Sequence, residues 1–391
     1  MTDPMVPSSR WRAHLAGAGG WIVPDAVFDG ARLLNDAAIH VYKGRLRITQ
    51  ARAAPGDARA AGAVWQPPGI LSPGFVDLQV NGGGGVLFNT TPSAEGARAI
   101  ARAHRTTGTA AILPTVITDR PEVMEAACRA VAETVGTDGI AGIHIEGPHI
   151  ALARRGTHAT QYICPLGART LQSVSRLRDL GVPVMITVAP EAVAPGQIAT
   201  MTGQEVVVAL GHSDATADQT RAALAEGART FTHLFNAMSP MQNREAGVTG
   251  AAINSAAHAS IICDGIHVAP EMLSLALRAR PEPDRTFIVT DAMPSVAGPD
   301  HYDLYGQTIS LRDGRLVNAE GALAGAHVTM LESVAFVIKV LHQTPEAALR
   351  MAITIPAGLM GLDHLCRLDG MSLTDLLLIS PDFHRCTFVG G

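Results

Sequence analysis

Glu146, His212, His233 and Asp291 are the residues whose types and positions could do hydrolytic chemistry, because each closes an apolar run. Ile140 to Ile145 leads into Glu146 and then Gly147-Pro148; Val206 to Leu210 leads into Gly211-His212-Ser213; Arg229 to Thr232 leads into His233; Phe287 to Thr290 leads into Asp291. An apolar run stopped by turn-forming residues reads as a buried strand, so all four lie at strand C-terminal ends. Two neutral imidazoles and one carboxylate are a common ligand set for a catalytic divalent ion, which acidifies a water and polarises a carbonyl. Glu146, His212 and His233 would supply that set. Asp291, across from them, would take a proton from the attacking water and return it to a leaving amine. Read singly, each residue also has an ordinary role: His212 bracing a corner, His233 hydrogen-bonded in the core, Glu146 in a buried salt bridge, Asp291 capping the turn at Ala292-Met293-Pro294. Their common placement favours the shared site. His144 has the strand parity of Glu146 but lies two residues deeper, where core support is the expected role.

Bringing four strand ends to one mouth requires a particular alternation of elements. From Phe75 onward, strand candidates at about 75–80, 109–116, 140–146, 182–190, 205–211, 228–233, 259–263 and 285–290 alternate with alanine-rich helical stretches. The helices are expected at about 94–107, 120–135, 169–180, 214–227 and 271–280, with two more at 328–341 and 345–352. Asp214 is expected to cap the helix that follows it. This is the α/β pattern of a (β/α)8 TIM barrel, whose active site lies at the C-terminal face of the strands. An open α/β sheet would share the alternation. Residues 1–70 instead hold short apolar pieces punctuated by Gly, Pro and Asp, and residues 356–391 return to strand-like composition. We therefore expect a barrel at 71–355 and one small β-sandwich-like domain formed jointly by 1–70 and 356–391, because a closed barrel brings its two ends together.

The chain has 391 residues, 17% of them charged, and a net charge of −5 without any long basic tract. It therefore carries no electrostatic footprint for nucleic acid. No apolar run reaches the roughly 20 residues that span a bilayer, and the stretch with Asp3, Pro4 and Pro7 lacks a secretory pattern. Cys128, Cys164, Cys263, Cys366 and Cys386 are scattered and form no CxxC pair, which reads as reduced thiols in a cytoplasmic protein, with Cys263 in the core.

The segments PGFVDLQVNGGGG (73–85), HIEGPHI (144–150), RRGTH (154–158), GHSDAT (211–216), THLFNAM (232–238), CDGIH (263–267), TDAM (290–293) and LAGAHVTM (323–330) together resemble the N-acetylglucosamine-6-phosphate deacetylase family of the amidohydrolase superfamily. The resemblance implies hydrolysis of N-acetyl-D-glucosamine 6-phosphate to D-glucosamine 6-phosphate and acetate. It implies Glu146, His212 and His233 as metal ligands and Asp291 as base and then acid, the four residues already picked from strand ends. It further implies that His158 meets the sugar or acetyl carbonyl and stabilises charge there, and that Arg244, with backbone groups of Asn236 and Ala237, meets the phosphate. His267 would contact the substrate near that end. The family also implies a homodimer in which Arg244 reaches the neighbouring site. One divalent ion is expected, zinc first, with iron, cobalt or manganese also suited to nitrogen and oxygen ligands.

Three departures stand out, one from the wider superfamily and two from the family. Gln79-Val80-Asn81 replaces the His-x-His of many superfamily relatives, which favours one ion over two, since amides are poorer ligands than imidazoles. Arg154-Arg155 stands in place of two lysines, and Ala246 in place of a proline. Gly82 to Gly85 would form a tight loop close to substrate. Two other readings use the same residues: an amidohydrolase for a cyclic amide, an N-acetyl amino acid or another N-acetylated sugar phosphate, and a noncatalytic sugar-phosphate sensor.

Overall fold

Eight parallel strands form one sheet in the computed structural model, which describes residues 3–15, 19–49, 63–319, 321 and 323–390. They are β1 (Phe75–Val80), β2 (Thr109–Ile117), β3 (Ile143–Glu146), β4 (Val184–Val188), β5 (Val207–Leu210), β6 (Thr230–Phe231), β7 (His258–Ile261) and β8 (Thr286–Ile288). Sequential strands pair side by side throughout. The order ends on β1 and β8, where the Asn81 and Gly82 N–H groups donate to the Ala292 carbonyl at 2.9 and 3.0 Å and draw the edges together. The strands are buried on both faces almost throughout, as a parallel sheet covered by helices requires. Every residue of β3, β4 and β5 is buried.

A helix follows each strand: α1 (Ala94–Arg105), α2 (Pro121–Thr134), α3 (Ala168–Asp179), α4 (Gln197–Thr202), α5 (Ala217–Ala225), α6 (Gly247–Ile253), α7 (Pro270–Ala279) and α8 (Met330–Lys339). The fold is the expected (β/α)8 barrel. In α1, Ala97, Ile100, Ala101 and His104 line one face, and the Ser93 hydroxyl accepts the Gly96 N–H to cap the first turn. The cap of α5 corrects the expectation for Asp214. Thr216 and Gln219 form a reciprocal capping box there. Asp214 instead pairs with Arg154 at 2.8 Å. Helices α4 and α6 were not marked in the sequence. The first has only six residues, and every residue of the second is buried, so neither shows an amphipathic period. The expected helix at 345–352 begins at Pro345–Leu349 and continues through a wider turn, Arg350–Thr354, into Ile355–Leu359.

The chain ends build the second layer. A five-stranded sheet runs Cys386–Phe388, Leu376–Ile379, Ile70–Pro73, Ala26–Phe28, Leu33–Leu34, and thus joins both termini. A four-stranded sheet runs Arg45–Thr49, Ala38–Tyr42, Gly20–Ile22, Val64–Trp65. Ile22, Ile39 and Leu46 from the second sheet pack with Val27, Leu71 and Leu378 from the first and with Trp11, which makes a sandwich-like core. A three-stranded antiparallel sheet, His301–Leu304, Gln307–Arg312 and Arg315–Val317, inserted between β8 and α8, was not foreseen either. Its side chains Tyr302, Leu304 and Ile309 cluster with Ile117 and Met293 at the barrel mouth. Among the described residues, no helix is long and apolar enough to cross a membrane.

Candidate metal centre and substrate cavity

Glu146 is the last residue of β3, and His212, His233 and Asp291 follow β5, β6 and β8 closely. The last three have φ of 48°, 35° and 52°. Such a left-handed backbone costs about 1–3 kcal/mol at a non-glycine residue and persists where the surroundings enforce it. Each bend turns a side chain from the strand direction toward the barrel axis. The result is convergence. His233 Nε2 lies 3.0 Å from Glu146 Oε1 and 3.1 Å from His212 Nε2, and His212 Nε2 lies 3.3 Å from the same carboxylate oxygen.

All three residues are buried, and among the described residues they are the group of histidine, cysteine and acidic side chains placed to hold a metal ion. Ligand atoms about 2.0–2.2 Å from a tetrahedral ion lie about 3.3–3.6 Å apart, close to the spacing seen here. His212 Nδ1 donates to the Arg154 carbonyl at 2.9 Å, which leaves Nε2 with its lone pair toward the other two ligands. The cluster therefore suits one divalent ion. Burial pushes the Glu146 carboxyl up, but hydrogen bonds and charge from His212 and His233 outweigh it and hold the group well below its ordinary range.

Gln79 and Asn81, at the segment compared above with the His-x-His of superfamily relatives, act as donors. Gln79 Nε2 reaches Glu146 Oε1 at 3.0 Å and Asp291 Oδ1 at 3.1 Å, and Asn81 Nδ2 reaches the same Asp291 oxygen at 2.6 Å. The Gln79 amide thus ties Asp291 to Glu146, and the Asn81 amide adds a second hold on Asp291. Burial, then the Glu146 charge, pushes the Asp291 carboxyl up to about 6, against the pull of His233 and the Asn81 hydrogen bond.

A cavity of about 200 Å³ joins Glu146, His212, His233 and Asp291 to His158, Asn236, Ala237 and His267. His158 is buried, and its Nδ1 lies 2.7 Å from the Thr118 hydroxyl at the end of β2; burial, reinforced by His212, depresses its pKa to about 3, so the ring is neutral. His267 Nδ1 meets Asp264 at 2.6 Å, and that carboxylate is itself held by the Ile266 and His267 N–H groups at 2.8 and 2.9 Å. The Asn236 backbone N–H donates to the His233 carbonyl at 2.9 Å, so the backbone donor expected to meet phosphate is already engaged. Arg244 is the candidate that the single chain does not bring in: it is exposed, on a loop outside the cavity lining. The arginines at 154 and 155 are partly employed in structure, Arg154 through Asp214 and Arg155 through the Gly156 carbonyl at 3.2 Å. His144 behaves as expected of a supporting residue, with Nε2 against Thr187 Oγ1 at 2.8 Å.

Several supporting residues escaped the sequence reading. Asp77 shares the parity of Gln79 on β1, a signal that places it on the same inward face. Thr118 and Thr290 had no such signal, since a threonine at a strand end is ordinary. Glu191 accepts the Ser213 hydroxyl and the Asp214 N–H at 2.8 and 2.7 Å, which braces the turn that carries His212.

No family model matches the chain. Among curated relatives, it is 40% identical over 293 residues to an N-acetylgalactosamine-6-phosphate deacetylase of Shewanella sp. (strain ANA-3), covering 74% of each chain. It is 31% identical over 320 residues to an N-acetylglucosamine-6-phosphate deacetylase of Haemophilus influenzae, covering 80% of this chain and 83% of the relative. Among solved structures, the N-acetylglucosamine-6-phosphate deacetylase from Pasteurella multocida superposes with a TM-score of 0.84 at 30% identity, over 93% of this chain and 96% of that one.

Proposed function

The chain belongs to the N-acetylhexosamine-6-phosphate deacetylases of the amidohydrolase superfamily, and from that premise we propose how its residues carry metal-dependent deacetylation of an acetylated sugar phosphate. Glu146, His212 and His233 hold one divalent ion, zinc by the nitrogen-rich ligand set. Bound there, the ion supplies Lewis acidity toward the acetamido carbonyl and acidifies a water. Asp291 takes the proton of the attacking water. One of its carboxylate oxygens is held by Gln79 and Asn81, and its pKa is raised to about 6. It is therefore ionised at neutral pH and ready to accept the proton, which it keeps more readily than an ordinary carboxylate would. It then protonates the amine as the C–N bond breaks, so no amide anion is expelled. His158 donates from Nε2 to the carbonyl oxygen as charge grows there, with Nδ1 accepting from the Thr118 hydroxyl to select that tautomer.

The observation that carries this reading is the meeting of Glu146, His212, His233 and Asp291 in one cavity with the Gln79 amide between the two carboxylates. A sensor would need neither a hydrolytic ligand set nor a proton carrier. The Asn236 side chain, the Ala237 backbone and His267 sit on the phosphate side of the cavity in this assignment. Arg244 completes it from the neighbouring subunit of a homodimer, which agrees with its exposed position outside its own cavity. Unpaired cysteines support a cytoplasmic setting. We place the domain limits at 1–70, 71–355 and 356–391, with the strand Ile70–Pro73 as the link between sandwich and barrel.

The motif resemblance favours the gluco epimer of the substrate. The 40% identity to a galactosamine-type relative favours the galacto epimer as a second reading. Acetate and amine release from both N-acetylhexosamine 6-phosphates and from the unphosphorylated sugars separates these. Release from one 6-phosphate at least about tenfold faster in kcat/KM identifies the epimer. Equal turnover of phosphorylated and unphosphorylated sugars would remove the phosphate assignment, and no release from any would leave the sensor.

A further inference from the structure

We propose that Asp77 and Thr290 are positioning residues that aim Asp291, acting across the seam where the barrel closes. The proposal rests on the assignment of Asp291 as proton carrier. Strand β1 points Asp77 and Gln79 to one face, since side chains alternate along a strand, and Asn81 follows directly after its last residue. Gln79 and Asn81 grip the Asp291 side chain directly. Asp77 lies one step deeper, fully buried and outside the cavity lining, and grips the backbone that precedes Asp291.

The connections have a definite polarity. Asp77 Oδ1 accepts the Gln79 N–H and the Thr290 N–H, both at 3.2 Å, and Oδ2 accepts the Thr290 hydroxyl at 2.5 Å. The Thr290 hydroxyl oxygen in turn accepts the Ala292 N–H at 3.2 Å. One threonine therefore clasps the backbone on both sides of Asp291, where φ is 52°. Between β1 and β8 the backbone pairing is reduced to the bonds from Asn81 and Gly82 to the Ala292 carbonyl, and the Asp77 and Thr290 bonds add to it at the seam. An ionised carboxylate offers acceptors alone, which obliges the hydroxyl to donate to it and frees the hydroxyl lone pairs for Ala292. An asparagine at this position would be able to present an amide donor to the threonine and reverse that order.

A stability role alone is a poor account of the pair. Burying a carboxylate without a cation is costly, and an apolar side chain would fill the same space without that cost. What the carboxylate adds is direction: it sets the bend that brings Asp291 under Gln79 and Asn81. Small errors in the placement of a reacting group cost rate far more than binding.

The test uses the full-length, zinc-loaded protein at pH 8 with the preferred N-acetylhexosamine 6-phosphate, and the variants D77N, T290V and T290S, with D77N also placed in a D291N background. We expect D77N and T290V to lower kcat by about tenfold or more, with KM and zinc content within about twofold of wild type. T290S, which keeps the hydroxyl, should recover to within about threefold of wild type. In the D291N background, D77N should change the residual rate by less than about twofold, because the group it aims is already gone. Wild-type kcat in both D77N and T290V would overturn the proposal. So would a loss confined to KM or zinc content, a T290S rate as low as that of T290V, or an equal loss from D77N in both backgrounds. If D77N fails to fold, the T290V and T290S pair decides alone. A wild-type protein without deacetylase activity would instead overturn the functional reading, which keeps the two failures apart.

Discussion

Asp291 carries the sharpest expectations at the scale of single residues. Replacing it with asparagine keeps the side-chain shape but removes the proton acceptor, so kcat should fall by about 10²–10⁴-fold while metal content stays near that of wild type. Near-normal turnover in metal-loaded D291N would reject the assignment. The pH dependence has a fixed sign. A base with its pKa pushed up to about 6 is lost as pH drops through that value, so kcat/KM should decline on the acid side of about 6. A profile flat down to about pH 4.5 would contradict it. The convergence of these four residues was legible in the sequence because each charged or imidazole side chain ends an apolar run. Their supports were not. Thr118 and Thr290 matter through the groups they touch in space, His158 and Asp77, which are distant in the chain.

The elements explain which parts of the pattern were readable. Strands buried on both faces announce themselves as apolar runs, so all eight were found, although β6 shrinks from the expected 228–233 to Thr230–Phe231. The left-handed bends at His212 and His233 come just after the last residues of β5 and β6. The inserted sheet was missed, although Asp313-Gly314 between two alternating stretches is a hairpin signal. That insertion touches the site. Its Tyr305 hydroxyl donates to the Thr118 carbonyl, and the Thr118 hydroxyl meets His158. Thr118→Val should therefore lower kcat by about 5–50-fold by freeing the His158 tautomer, while Thr118→Ser should restore most of it. Equal rates for the valine and serine variants would argue against that coupling. Asp77 adds a stability signature at the β1–β8 seam. Burial pushes its pKa from 3.8 to about 7, so between those values the native state holds a proton that the unfolded chain has released. Its contribution is present at the acid end of that window and is lost as pH rises through it. The Tm of wild type relative to D77N should accordingly fall from about pH 5 to about pH 8; a constant difference would contradict the buried placement.

The whole molecule joins the barrel to a two-sheet layer built from both ends of the chain. Leu378 of the C-terminal strand and Val27 of the N-terminal segment share one core. The expected pairing of the termini rested on chain geometry. The detailed strand order did not follow from it, because sheet neighbours far apart in sequence leave no local trace. Subunit organisation belongs to this scale too. Mixing an Arg244→Ala variant with a D291N variant should regain activity in hybrid dimers if Arg244 serves the neighbouring cavity; no recovery, with dimers confirmed by light scattering, would place the phosphate contact elsewhere. The central claim is that one ion, held by Glu146, His212 and His233, is required for amide hydrolysis. The most direct measurement is a titration of chelator-stripped protein with zinc while acetate release is followed. The account predicts negligible release from the stripped protein, a rise that breaks at about one zinc per chain, and no such rise in H212A. Full acetate release from the stripped protein, or an undiminished zinc response in H212A, would contradict it.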